Sequence, residues 1–359
     1  MSHLSNFKNE LIKAGYDAAI VSHKTNQRYL SGFDFDDGLV LVTKGQSYLL
    51  TDFRYVEAAK AQAHPDLTVL TPKEGHLVAI AGLLADNGAK TVATEDKSLS
   101  CAAYARYCEI LKDYTLSGGA SVILEKLRIC KDEEELQTIA RAQAVTDAAF
   151  AHIVNWIKPD MTEIEVALEI EFFMRSNGAE ALAFDTIAVS GTNSARPHGV
   201  PRRTKLEKGF LTLDFGARVD GYCSDMTRTV VLGKADEEIK KIYNTVLTAQ
   251  KAALEAAAEG VSCRSLDEIA RNIINGTGYE GCFGHSLGHG VGMFIHENPR
   301  LSFAAPAEEL LSRGHVVTFE PGIYLEGKYG CRIEDMACIR PDGSFHNFTK
   351  SPKELIELF

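Results

Sequence analysis

Four apolar, strand-like runs in the second half of this chain each carry an acid among hydrophobic neighbours. They are Leu211-Thr-Leu-Asp214-Phe-Gly, Ser224-Asp225-Met-Thr-Arg-Thr-Val-Val, Val316-Val-Thr-Phe-Glu320-Pro-Gly and Arg332-Ile-Glu334-Asp-Met-Ala. An ionised carboxylate buried without a partner costs several kcal/mol even after the protein relaxes. One such acid can cap a helix or pair with an arginine. Four in one domain need a shared counter-charge, and the economical one is a metal ion. A fold open to this chain has to bring these runs together.

Local spacing supports convergence. Asp214 and Asp225 flank Val219-Asp220-Gly221-Tyr222, and Asp-Gly is a strong signal for a two-residue hairpin. If Val219 pairs with Tyr222, Asp214 lies opposite Thr227, and Asp225 becomes a diagonal neighbour on the same face, within about 7–8 Å. A bulge would change that register. Imidazoles come from Gly284-His285-Ser-Leu-Gly288-His289-Gly-Val-Gly292. A helix would put His285 and His289 on one face, but each interior glycine costs a helix about 1 kcal/mol. An extended or looped backbone is the expectation, with glycines that let it approach an ion or substrate closely. His296 follows, in His296-Glu-Asn-Pro-Arg300. Taken singly, Asp225 reads as an arginine partner, His289 as a core histidine and Arg300 as a surface cation. Taken together, two Asp, one His and two Glu in glycine-punctuated strands have no comparable structural explanation.

Composition bounds the rest. With 359 residues, 45% apolar and 24% charged, the chain suits a soluble protein of two domains. A net charge of −11 and the lack of a Lys/Arg cluster argue against nucleic acid; the doublet Arg202-Arg203 is too short. The N-terminal stretch lacks the apolar core of a signal peptide, and no window reaches the ~20 apolar residues of a membrane span, so a cytoplasmic protein without membrane contact is expected. Eight cysteines without a CxxC pair are expected to be buried free thiols.

Residues 1–122 mix strand-like runs (Asp17–Val21, Gly38–Thr43, Ser47–Leu50) with amphipathic runs (Leu4–Ala14, Tyr55–Ala63), which predicts an α/β domain with a covered sheet. A boundary is expected near Ser117-Gly118-Gly119 or a few residues later, leaving 123–359 as the second domain. There, Asp132/Glu135, Thr162/Glu165 and Ser265/Glu268 read as capping boxes, and a further helix spans roughly Asp236 to Glu259. Helices in two pairs backing a sheet, without regular βα alternation, make the whole chain α+β.

The set resembles the pita-bread metallopeptidases, the group of methionine aminopeptidase, aminopeptidase P and prolidase, and within it the proline-specific branch. The resemblance runs through Phe184-Asp-Thr-Ile, Pro197-His198-Gly, Leu213-Asp214-Phe-Gly, Ser224-Asp225-Met-Thr-Arg, His285 to Gly292, Glu320-Pro-Gly-Ile-Tyr324 and Arg332-Ile-Glu334-Asp335. Less specifically, Arg28-Tyr29-Leu30-Ser31-Gly32 and Thr51-Asp52-Phe53-Arg54-Tyr55 resemble that branch's creatinase-like N-terminal domain. The resemblance implies a C-terminal pita-bread catalytic domain and two divalent ions. Mn²⁺ is placed first, and Co²⁺, Fe²⁺ or Zn²⁺ also suit the ligands. Asp225 and Glu334 would bridge the ions, Asp214 would complete one, and His289 with Glu320 the other. It further implies hydrolysis of Xaa-Pro bonds by a hydroxide held between the ions. Glu320 would handle the proton, His198, His285 and His296 would line the substrate pocket, and Arg332 would orient a ligand. Phe184 and Tyr324 would contact substrate. Arg300 matches the position where prolidases bind the free carboxylate of a dipeptide, which favours an Xaa-Pro dipeptidase over an aminopeptidase P acting on longer peptides. A non-catalytic peptide-binding module and a metal-free creatinase-like hydrolase are the other readings, and the intact ligand set counts against both. A homodimer is also implied.

Overall fold

The computed structural model describes residues 2–359 and divides into two compact units, one ending at Arg128 and the other spanning Ile129–Phe359. The division falls a few residues beyond 122/123 because the helix Ala120–Ile129 runs through that point.

The first unit is built on a six-stranded sheet. Its spatial order is Leu67–Leu70, Ser47–Thr51, Gly38–Thr43, Ala18–Val21, Thr91–Thr94 and Thr115–Gly118. The central strand Ala18–Val21 is buried along its whole length and pairs antiparallel with Gly38–Thr43 but parallel with Thr91–Thr94. On one face, Leu77, Ile80 and Leu84 of the helix His76–Asp86 pack with Ile20, Leu41 and Val92 of the sheet. The mixed sheet with helical cover matches the expectation from sequence.

In the second unit, the helices Glu133–Trp156 and Glu163–Ser176 form one packed pair, and Glu237–Ala256 and Cys263–Gly276 form another. The Asp132/Glu135 and Thr162/Glu165 capping boxes both form. The third does not. Backbone bonds from Cys263 to Glu309 and from Leu311 to Val261 hold the incoming chain, so the helix starts after Ser262. Ser265 then lies inside it, and its hydroxyl donates to the Ser262 carbonyl.

Each helix pair backs one antiparallel platform. The first pair buries Phe150, Ile153 and Ile170 with Leu211, Leu213 and Val230, from the strands Gly209–Phe215 and Met226–Leu232. The second buries Ile242, Val246 and Leu266 with Val317, Phe319 and Ala337, from Val316–Phe319 and Asp335–Ile339. The hairpin register is the one expected: Val219 pairs with Tyr222, and Thr227 lies opposite Asp214. Asp220 and Gly221 both have positive φ, as the tight turn requires.

The thiols need a correction. All eight are free, but only Cys223, Cys263, Cys331 and Cys338 are buried, whereas Cys101, Cys108 and Cys130 are exposed. Cys101 and Cys108 lie on the helix Cys101–Ile110, whose buried position is Tyr107. Among the described residues no helix is long and apolar enough to cross a membrane.

Candidate metal centre

The five anticipated ligands arrive from both platforms. Asp214 is the penultimate residue of the strand Gly209–Phe215, and Asp225 sits just before Met226–Leu232. His289 is the middle residue of Gly288–Gly290, Glu320 follows Val316–Phe319, and Glu334 precedes Asp335–Ile339. All five line one cavity of ≈ 470 Å³. Ligand atoms of Asp225, His289 and Glu334 all lie within 4.8 Å of one another.

Glycines on either side of His289 make this approach possible. A Cβ on Gly288 would stand 1.9 Å from the Thr318 carbonyl oxygen, and one on Gly290 would stand 2.2 Å from that of Asn298. Both obstacles are backbone, so no side-chain rotation relieves them. Gly288→Ala is therefore expected to destabilise the fold by about 1–3 kcal/mol or more, as overpacking does. Thermal unfolding checks this, and a Tm equal to wild type would contradict it.

The electrostatics call for a cation. His289 Nδ1 lies 3.0 Å from the Gly290 carbonyl oxygen, a contact that only a protonated Nδ1 makes favourably. Burial pushes the imidazolium pKa down to about 3, so the ring is neutral and Nε2 carries a lone pair. That lone pair faces Asp225 Oδ2 and Glu320 Oε1, each at 3.5 Å. Asp214 Oδ1 is buried with no hydrogen-bond partner. Desolvation, reinforced by the neighbouring carboxylates, pushes Asp225 and Glu334 well above the usual carboxyl range. Burial pushes Glu320 up to about 8, with Asp214 adding to the effect. Inward-facing imidazole and carboxylate donors, and acids that repel one another when ionised, fit divalent cations of the kind oxygen and imidazole donors hold.

Further side chains orient these groups. Thr227 Oγ1 donates to Glu334 Oε2 at 2.8 Å. Arg332 is buried and donates to Asp214 Oδ2 at 2.6 Å, to Thr227 Oγ1 at 3.0 Å, to the Tyr324 hydroxyl oxygen at 2.7 Å and to the Pro197 carbonyl at 3.3 Å. With its oxygen accepting from Arg332, the Tyr324 hydroxyl donates to His285 Nε2 at 2.9 Å, and His285 Nδ1 donates to the Ser286 carbonyl at 2.9 Å. Both nitrogens of His285 are thereby engaged, and burial holds its pKa at about 4.

His198, His296 and Arg300 line the same cavity and are exposed to it, as does Phe184 on its wall. Tyr324 is not a wall residue; its ring lies behind His285. Two contributions escaped the sequence reading. Thr227 and Thr318, which bond Glu334 and Glu320, looked like ordinary strand threonines. The available signal for Thr227 was its place opposite Asp214 in the hairpin.

Carboxylates and an imidazole thus converge on one substrate-sized cavity, the donor set of a candidate metal site. The chain belongs to metallopeptidase family M24, whose model matches residues 137–341, and residues 3–130 match the creatinase/prolidase N-terminal domain. Family membership implies divalent metal ions and makes the protein a metallo-exopeptidase. It is 37% identical to the Xaa-Pro dipeptidase of Pyrococcus horikoshii, over 96% of this chain and 95% of that one. Among solved structures, the Xaa-Pro dipeptidase from Bacillus anthracis superposes with a TM-score of 0.94 at 39% identity, covering 99% of both chains. The X-Pro aminopeptidase from Thermotoga maritima does so with a TM-score of 0.90 at 36% identity, covering 98% of this chain and 99% of that one.

Proposed function

We propose that the protein is an Xaa-Pro dipeptidase in which Asp214, Asp225, His289, Glu320 and Glu334 would hold two divalent ions, with Asp225 and Glu334 the acids that would serve both. The observation that carries this reading is the convergence of His289 Nε2 with carboxylate oxygens of Asp225 and Glu320, each at 3.5 Å, and with Glu334 in one cluster. Bound ions of this kind polarise a scissile carbonyl and make a nucleophile available at neutral pH. The chain's own groups do the rest. Glu320, at the cavity wall beside His289, is the group that would carry a proton to the departing proline nitrogen. His198 and His296 donate hydrogen bonds to the carbonyl oxygen as it gains charge. His285 lines the cavity with both ring nitrogens bonded to protein, so its ring is held in place at the substrate pocket by Tyr324 and the Ser286 carbonyl.

Phe184, Ile187, Val200, Pro201 and Ile295 give the cavity an apolar wall. A proline ring, bulky and without an N–H to satisfy, suits such a wall. Arg300 binds the free carboxylate that a dipeptide presents beyond its proline, in the paired geometry a guanidinium offers. The same reading takes Mn²⁺ as the working metal, a homodimer as the assembly and the cytoplasm as the compartment. The oxygen-rich donor set supports the first, and the resemblance to the proline-specific branch supports the second.

Likeness to the Thermotoga X-Pro aminopeptidase supports a second reading, in which longer peptides are cut. One assay separates the two. Metal-loaded protein is given Ala-Pro and Ala-Pro-Ala, with and without Arg300→Ala. The dipeptidase reading expects preference for Ala-Pro, and a rise of roughly 10–100-fold in its KM when the guanidinium is removed. A wild type that prefers the tripeptide, or a variant that keeps the dipeptide preference, contradicts it.

A further inference from the structure

The carboxylate of Glu163, in the first turn of Glu163–Ser176, is fully buried and accepts six hydrogen bonds. Ser190 contributes its N–H at 2.8 Å and its hydroxyl at 3.0 Å. Asn193 contributes Nδ2 at 2.9 Å. Arg202 contributes its N–H at 2.9 Å, Nε at 3.0 Å and Nη2 at 2.9 Å. Desolvation would raise this carboxyl, but the Arg202 guanidinium and the converging N–H groups outweigh it and hold it below its ordinary range.

Every donor lies on the segment 190–202, at its two ends. Between them run Pro197, His198, Gly199, Val200 and Pro201, all on the cavity wall. The tip of this loop has few ties of its own. Val200 is 76% exposed, and the tip is held by Asn193 Nδ2 to the Val200 carbonyl at 3.0 Å, Arg332 to the Pro197 carbonyl at 3.3 Å and the Gly199 N–H to the Arg196 carbonyl at 3.0 Å. Glu207 braces the same end, accepting from Arg202 Nη2 at 3.1 Å while its N–H donates to Ser190 Oγ at 2.9 Å. Both ends of the loop are thus tied to one carboxylate, which ties the placement of His198 and Val200 to it.

We infer that Glu163 and Arg202 are positioning residues, a clamp that sets the His198–Val200 loop against the substrate. The inference rests on the peptidase reading above, with His198 acting on the carbonyl oxygen. Neither residue lines the cavity, so their effect is transmitted through the loop.

Arg202 is the residue to change first, since its side chain is 33% exposed and its removal leaves Glu163 with the Ser190, Asn193 and backbone donors. In the Mn²⁺-loaded full-length protein, Arg202→Ala is expected to lower kcat/KM for Ala-Pro by roughly 10–100-fold, as displaced positioning groups do. Bound metal should stay at the wild-type level, and Arg202→Lys should recover part of the loss. Glu163→Gln, which turns an amide N–H₂ toward the same donors, should reproduce the defect wherever it folds. The decisive arm is a double-mutant cycle. If the clamp works through His198, adding Arg202→Ala to His198→Ala costs little more than His198→Ala alone. Arg202→Ala activity within about twofold of wild type, or losses that multiply in the double variant, would overturn the clamp. A wild type inactive on Ala-Pro would bring down the peptidase reading and the clamp with it, and is distinguishable from the clamp's own failure.

Discussion

Glu320→Gln will lower kcat for an Xaa-Pro dipeptide by about 10²–10⁴-fold, the range that a positioned acid–base group contributes. The effect is expected to be large because glutamine keeps the shape of the side chain but cannot take up and release a proton. The fold should survive. Thr318 can still donate to the amide oxygen as it does to Glu320 Oε1 at 3.4 Å, and the Glu320 N–H bond to Leu287 at 2.7 Å is backbone. The charge removed is one that burial disfavours, so the metal-free variant should unfold at or above the wild-type temperature. Proline release and thermal unfolding on the same preparation check both parts. A variant within tenfold of wild type would remove Glu320 from the proton-transfer role.

Stripping the metal gives the second large effect, and its sign depends on pH. A carboxyl whose pKa is raised by folding holds its proton more tightly in the folded state than in the unfolded one. For Glu320 the window runs from 4.5 to about 8, and within it the folded protein carries the extra proton. The contribution of Glu320 to the stability of the chelated protein therefore falls as pH rises through that window. Asp225 and Glu334, both raised by desolvation and mutual repulsion, act in the same direction. Cations supply the missing counter-charge and compete with protons, so their stabilisation grows as pH rises. The Tm gained on adding Mn²⁺ to chelated protein is expected to be several degrees larger at about pH 8 than at about pH 5. Activity should be lost on chelation and restored by metal. Equal Tm gains at the two pH values would mean that these acids are not the cation's ligands.

Much of this centre was legible because its determinants are local. The Asp220-Gly221 turn has a two-residue loop, and such a loop dictates the pairing of everything on either side of it, so the Asp214–Thr227 register could be read directly. Glycines around His289 ruled out a helix for the same local reason, and the strand Gly288–Gly290 follows. What could not be read depends on pairings between distant segments. The relay from Arg332 to Tyr324 lies within one hairpin, where Gly322 pairs with Arg332 and Tyr324 with Gly330 around a loop carrying Gly327 at positive φ, but its last step reaches His285 on a distant segment. Hence Tyr324 read as a substrate contact although its hydroxyl is engaged by protein. Glu163 shows the same limit. In sequence it is one of several acids at a helix start, where acids are common, and only the return of the chain at Ser190 and Arg202 makes it a clamp. The lost Ser265 cap is the converse case, a local signal overridden by the bridge between Ser262 and Leu310.

Bound metal per chain, measured on Mn²⁺-reconstituted wild type beside Asp225→Asn, tests the central claim most directly. Two ions per wild-type chain and a clear deficit in the variant are the expected result, because Asp225 is assigned to both ions. A wild type without stoichiometric metal, or an Asp225→Asn variant that binds as much as wild type, would contradict the account.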